Sequence, residues 1–331
     1  MRKIARIILL LVTAIFTASG CAANVVTPEI ESGEPKLKIY ASFYPMYDFA
    51  QKIAGDKAEV KCVVPSGVEP HDWEPTAADI VALEQADVFI YNGAGMEHWV
   101  DDVLASLQTK TLTVVEASSN IGLIEGGHSH DHDHDHDHEH EHDHDEDHNH
   151  DHDMFEGGGL DPHVWLNPMY AKIQMENITN ALIEADEANA DYYEYNYNAW
   201  AAELDKLDKE YKDALSGLEN STIVVAHEAY GYLCEAYGLT QVGITGLSPD
   251  SEPNPAKMAE IIDFAKEHNI KVVFFEELAS SKVADAIASA IGAKTAVLSP
   301  IEGLSDAQAQ EGGDYFSVMR SNLEALKAAL I

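Results

Sequence analysis

Short runs of alternating or unbroken apolar residues recur along this chain, and between them lie longer stretches with apolar residues at every third or fourth position. The short runs predict strands and the longer stretches helices. Lys36 to Ala41 alternates as a strand, and Pro45 to Ala54 is helix-like and stops at Gly55. Ala58 to Val64 predicts a second strand, ending at Pro65-Ser66-Gly67. After an acidic, Pro-rich loop, Thr76 caps a helix through Glu84 that leads into the apolar strand Val88 to Tyr91. Asn92 to Gly95 reads as a turn, Glu97 to Leu107 as helix and Thr111 to Val115 as strand.

Met169 to Glu184 and Ala188 to Ser216 contain no glycine or proline. In the second, Tyr197, Trp200, Leu204, Leu207 and Tyr211 recur at helical spacing and predict a buried face. At ~1.5 Å per residue that helix reaches roughly 40 Å, long enough to brace two lobes. A second alternating set follows. Thr222 to Ala226, Gln241 to Ile244, Lys271 to Phe275 and Lys294 to Leu298 read as strands. Ala229 to Tyr237, Pro255 to His268, Lys282 to Ile291 and Asp314 to Leu330 read as helices, with Pro255 suited to a first turn. The alternation predicts an α/β fold of two lobes, each a mostly parallel sheet flanked by helices, joined by long helix. The expected divisions are 36–167, 168–218 and 219–331.

Residues 128 to 153 break this pattern, with twelve histidines, twelve carboxylates and no lysine, arginine or aromatic residue. The histidines are His128, His130, His132, His134, His136, His138, His140, His142, His144, His148, His150 and His152. Such a run has no apolar face to bury and is expected to be a disordered loop. Neutral imidazole suits zinc, copper and nickel, and interleaved carboxylates concentrate divalent cations. Aspartate and glutamate alone would make a solvated linker, so this many histidines point to transition-metal handling.

The formal charge of −38 argues against nucleic acid or an anionic membrane patch as partner. Arg2, Lys3 and Arg6 precede an apolar run from Ile7 to Phe16, too short to span a bilayer comfortably and typical of an export signal over residues 1–20. Ala18-Ser19-Gly20-Cys21 has the form of a lipidation site, although the usual leucine is replaced by Ala18. Residues 21–35 then form a tether. The remaining cysteines, Cys62 and Cys234, have no metal-site spacing, and spacing alone does not decide whether they pair.

Outside the tract, His71, His163 and His227 share one setting. His71 lies in the loop after the strand ending at Val64, His163 between Pro162 and Pro168, and His227 at the end of Thr222 to Ala226. Ligands of open α/β sheets bind beyond the carboxyl ends of strands, which makes these three candidate metal ligands. His98 opens a helix and His268 closes one, where its charge suits the dipole. A fourth ligand is open among Glu302, Glu276 and Glu277, all just past predicted strands.

Several motifs occur together. They are Glu69-Pro70-His71-Asp72-Trp73-Glu74-Pro75, Asp161-Pro162-His163-Val164-Trp165-Leu166 and His227-Glu228-Ala229-Tyr230-Gly231-Tyr232. Phe274-Phe275-Glu276-Glu277, Leu298-Ser299-Pro300-Ile301-Glu302-Gly303-Leu304 and Tyr315 to Met319 accompany them. In combination, behind a lipidation cysteine, the chain resembles the zinc-binding lipoproteins of bacterial ABC importers, within the metal-receptor cluster of solute-binding proteins. The resemblance covers the whole mature chain. It implies a rigid connecting helix, a metal between the lobes, and ligands His71, His163, His227 and Glu302. It also implies an ABC permease with its ATPase as partners and a lipid anchor at Cys21 on the outer face of the cytoplasmic membrane. Manganese members of the family typically place a carboxylate where His227 stands.

Three imidazoles and a carboxylate suit tetrahedral Zn2+, whereas manganese prefers more oxygen and higher coordination. The rival from another class is a zinc hydrolase, which keeps an open coordination position. His227-Glu228 begins like a His-Glu-x-x-His motif, but the second histidine would fall at Gly231. A closed four-ligand shell implies a carrier, not an enzyme.

Overall fold

The protein is described by a computed structural model over residues 36–109, 111–126, 159–249 and 253–331. The export signal, Cys21, the tether and all twelve tract histidines lie outside the described residues.

Two four-stranded sheets organise the fold. The first holds β1 (Leu37–Ala41), β2 (Ala58–Cys62), β3 (Val88–Tyr91) and β4 (Thr113–Glu116), in the order β2-β1-β3-β4. The second holds β5 (Thr222–Val225), β6 (Thr240–Gly243), β7 (Val272–Phe275) and β8 (Lys294–Val297), in the order β6-β5-β7-β8. Every strand pair is parallel. Each sheet therefore repeats one topology, with the order reversing between its two central strands. That reversal opens a crevice at their carboxyl ends.

Helices cross between the strands: α1 (Tyr44–Ala54), α2 (Ala77–Leu83) and α3 (Val100–Ser106) in the first set, α6 (Gly231–Tyr237), α7 (Pro255–Glu267) and α8 (Lys282–Ile291) in the second. Their ends follow local chemistry. Thr76 and Asp79 form a capping box on α2, and Asn254 caps α7 ahead of Pro255. The third helix starts at Val100, not Glu97, because the buried Glu97 carboxylate accepts the Asn92 and Gly93 N–H groups and the Ser42 hydroxyl. The sequence pattern did not reveal a short helix, α9 (Asp306–Gln310), nucleated by a Ser305–Gln308 capping box.

Strand alternation sorts side chains into separate cores. Val88 and Ile90 enter the main core, whereas Phe89 points to a satellite with Leu83, Trp99 and Val103. Ile223, Val225 and Phe274 enter the same main core, while Val224 and Val273 face a second satellite with Ile261 and Ile287. The inner faces of both sheets thus share one continuous core.

Between the sets lie α4 (Pro168–Ala185) and the 26-residue α5 (Ala190–Leu215). Leu204, Leu207 and Tyr211 of the anticipated stripe are fully buried, and Tyr197 and Trp200 are half-buried. The Trp200 indole donates to the carbonyl of Lys52 near the end of α1 and stacks on Phe316. Phe316 belongs to α10 (Tyr315–Leu330). The Tyr211 hydroxyl donates to the Met319 carbonyl of the same helix. The long helix therefore braces elements of both sets.

Candidate metal centre

Four loops deliver four side chains to one point. His71 follows β2, in a loop closed by Pro70 and Trp73. His163 precedes a buried single turn, Val164–Leu166, that leads through Pro168 into α4. His227 stands two residues beyond β5, a central strand of its sheet, and Glu302 follows β8. His163, His227 and Glu302 are buried, while the His71 side chain is 11% exposed.

Three Nε2 atoms and one carboxylate oxygen converge there. His71 Nε2 lies 3.2 Å from His163 Nε2 and 3.2 Å from Glu302 Oε1. His163 Nε2 is 2.9 Å from Glu302 Oε1 and 3.3 Å from His227 Nε2, which is 3.4 Å from Glu302 Oε1. A tetrahedron has edges about 1.63 times its centre-to-corner distance, so zinc–nitrogen bonds of about 2.0–2.1 Å require edges of about 3.3 Å. Five of the six edges are these distances, and all four atoms lie within 4.8 Å of one another. The four atoms have the spacing of a tetrahedral ligand set.

The outward ring nitrogens fix which lone pairs face inward. His163 Nδ1 is 2.8 Å from Asp161 Oδ1, which also accepts the His163 backbone N–H. His227 Nδ1 is 2.6 Å from Glu276 Oε1. Each carboxylate accepts an Nδ1–H and leaves Nε2 free to coordinate. Glu276 follows β7 and His227 follows β5, so the switch point between adjacent strands creates this pair.

Burial resists charge on these groups, but their neighbours outweigh it. Burial pushes the Glu302 carboxyl up, yet the surrounding imidazoles draw it well below its ordinary value. Burial lowers the His163 pKa, but Asp161 and Glu302 raise it overall. For His227, burial is likewise overcome by Glu276 and Glu302, and the net rise is large. Burial and the Glu302 charge push Glu69 up to about 9.

The arm carrying Glu302 is unusually constrained. Ile301 has φ +61°, a conformation that β-branched residues avoid and that costs about 1–3 kcal/mol. The Trp165 indole donates to the Pro300 carbonyl at 2.7 Å, and the Ile301 N–H donates to Ser299 Oγ at 3.2 Å. Asn322 accepts the Ser299 N–H and donates to its carbonyl. Trp165 is itself held by a hydrogen bond to its carbonyl from Tyr315 and by the edge of Phe43.

The three carboxylates left open by spacing now have different positions. Only Glu302 reaches the cluster; Glu276 backs His227, and Glu277 accepts the Gln308 side-chain amide. His98 pairs with Glu74 at the surface, and His268 stacks on Phe264 at the end of α7. Cys62 and Cys234 are free thiols. Sequence reasoning passed over Asp161 and Trp165, although Asp161-Pro162-His163 places a carboxylate within reach of its own histidine.

A buried nitrogen-rich cage between two parallel sheets defines a metal-binding α/β protein. The chain belongs to the family described as the periplasmic A component of the zinc-uptake complex, matched over residues 39–329. It is 44% identical over 313 residues to the high-affinity zinc uptake system protein ZnuA of Bacillus subtilis, covering 95% of this chain and 93% of that protein. It is 39% identical to the zinc-binding protein AdcA of Streptococcus pyogenes over 89% of this chain, but spans only 56% of that longer protein. Its fold matches the Zn(II)-bound ZnuA-like domain of Streptococcus pneumoniae AdcA with a TM-score of 0.73 at 35% identity, covering 89% and 99% of the two chains.

Proposed function

We propose that this chain captures Zn2+ outside the cytoplasm and hands it to an ABC permease driven by its ATPase. His71, His163 and His227 each give Nε2, and Glu302 gives Oε1. The observation that carries this reading is the set of tetrahedral edges near 3.3 Å among buried donors. Manganese, which favours more oxygen donors, fits less well. Four protein donors also leave no position for the activated water of a hydrolase.

Cys21 carries the lipid that anchors the protein to the outer face of the cytoplasmic membrane. The His tract supplies additional weaker sites, because each ion it takes must order several residues. Residues 36–167 and 219–331 act as the two lobes, with 168–218 connecting them.

The decisive experiment removes 128–152 and measures zinc stoichiometry and affinity. The flanks of the tract are close enough for a short join, since Gly126 N–H donates to the Gly159 carbonyl at 2.8 Å. One tight zinc should remain and the weak ones should disappear. Loss of the tight site would refute the four-loop cage, and turnover of ester or phosphate substrates would revive the hydrolase.

A further inference from the structure

The four donors of the cage differ in how their backbones are held. His163 sits beside a buried helical turn and His227 at the end of a central strand. Glu302 alone is preceded by a β-branched residue in the left-handed region, Ile301 at φ +61°. Glycine would adopt that conformation without strain. Isoleucine is fully buried in the main core at this position, so packing opposes the strain without removing it. An arm of this kind relaxes unless something outside it holds it.

The restraint visible from the far side is Trp165. Its indole N–H reaches the Pro300 carbonyl at 2.7 Å, across 135 positions of sequence. The same tryptophan lies two residues after His163 and packs against that imidazole, with ring centroids 5.3 Å apart. One side chain thus ties the His163 segment to the arm that bears Glu302. A small cavity of about 10 Å³, no larger than a water molecule needs, lies beside the arm and has Ser299, Pro300, Glu302 and Gly303 among its lining residues.

We infer that Trp165 is a positioning residue for Glu302: through the Pro300 carbonyl it keeps Ile301 in its strained conformation and so holds Oε1 against the three imidazoles. The inference rests on reading Glu302 as a ligand. It makes Glu302 the first donor to leave when the Trp165–Pro300 hydrogen bond opens, with the ion then held by imidazole alone.

A double-mutant cycle on the full chain tests this, using Trp165→Phe, Glu302→Ala and the two combined. Phenylalanine keeps an aromatic ring beside Phe43 and His163 but removes the N–H donor together with part of the buried ring volume. The cycle separates the two because the packing loss acts in both backgrounds. Trp165→Phe should weaken zinc roughly threefold to tenfold and speed its loss to a chelator by a similar factor. Its Co2+ visible spectrum should move toward that of Glu302→Ala. In the Glu302→Ala background the substitution should weaken zinc clearly less and leave the spectrum unmoved, the remainder being the packing loss beside His163. Equal effects in both backgrounds, or no effect in the parent, would overturn the inference. If Glu302→Ala alone left zinc affinity and the Co2+ spectrum unchanged, the ligand reading itself would fall. Should Trp165→Phe fold poorly, Ser299→Ala loosens the same arm by removing the acceptor of the Ile301 N–H. It should show the same dependence on Glu302, and an effect independent of Glu302 would overturn the inference.

Discussion

Replacing Glu276 by glutamine separates the orienting carboxylate from the ligands. Glu276 Oε1 lies 2.6 Å from His227 Nδ1, and both side chains are almost fully buried. Glutamine keeps the shape and one acceptor oxygen but removes the charge that makes His227 a better donor. Substitutions of this kind cost about 10- to 100-fold in metal affinity, or about 1.4–2.7 kcal/mol. Burial places the expected loss toward the upper end, because charge interactions are screened least where water is excluded.

A second effect has the opposite sign. The same carboxylate helps raise the His227 pKa, so it also strengthens the proton that competes with zinc. Above the raised His227 pKa the imidazole is neutral and the whole loss should show. Toward about pH 6, easier deprotonation of the variant should offset part of it. Chelator competition across that range gives the profile. Glu277→Gln is the control, since the Glu277 carboxylate accepts the Gln308 side-chain amide at 2.8 Å and is not one of the four converging donors. An equal loss in both variants, or a Glu276→Gln loss that grows as pH falls, would refute the orienting role.

Other outcomes follow from the same geometry. A binding free energy of about 10–16 kcal/mol over four ligands allots about 3 kcal/mol to each, so His163→Ala and His227→Ala should weaken zinc by at least ~100-fold in competition titrations. His71→Ala should cost less, because its partly exposed position admits water and Glu302 keeps His163 and His227 as partners, whereas His98→Ala and His268→Ala should leave affinity unchanged. Zinc binding should release protons near neutral pH, since His163 and His227 hold theirs above the ordinary value, and calorimetry in buffers of different ionisation enthalpy would count them. Without metal, these two histidines contribute stability that is complete below about pH 6.5 and is lost as pH rises through their raised values. The lowered Glu302 carboxyl contributes stability present above its ordinary value and lost as pH falls through its folded one, so thermal melts in chelator should peak in mildly acidic buffer, and zinc should remove the decline on the alkaline side.

Much of this was legible in the sequence because buried strands and helix faces write their period directly into the chain. Val88 to Tyr91 and Lys282 to Ile291 appear in the structure with the bounds their patterns implied. The three histidines were legible for a different reason, since each follows a predicted strand or lies among prolines where no regular element fits. The fourth donor was not legible from spacing, and only the motif resemblance pointed to Glu302. Glu276, Glu277 and Glu302 all follow strands, and what separates them is the positive φ of Ile301 and the pull of Trp165 on Pro300, neither of which has a periodic signature. Glu97 shows the converse failure: its helix-like context hid a buried carboxylate that organises the turn before α3.

The charges around the cage explain why it suits a carrier. Glu302, Asp161 and Glu276 gather around one point, and of the four converging side chains only His71 is partly open to water. Buried carboxylates at this density need positive charge close by. His163 and His227 answer that need: Asp161, Glu276 and Glu302 raise both pKa values despite burial and so favour positive charge on the imidazoles. A zinc ion would bring positive charge to the same point. A hydrolytic site would need a coordination position kept for water; here the Glu302 carboxylate stands beside the three imidazoles as a fourth donor, on an arm with Ile301 at φ +61°.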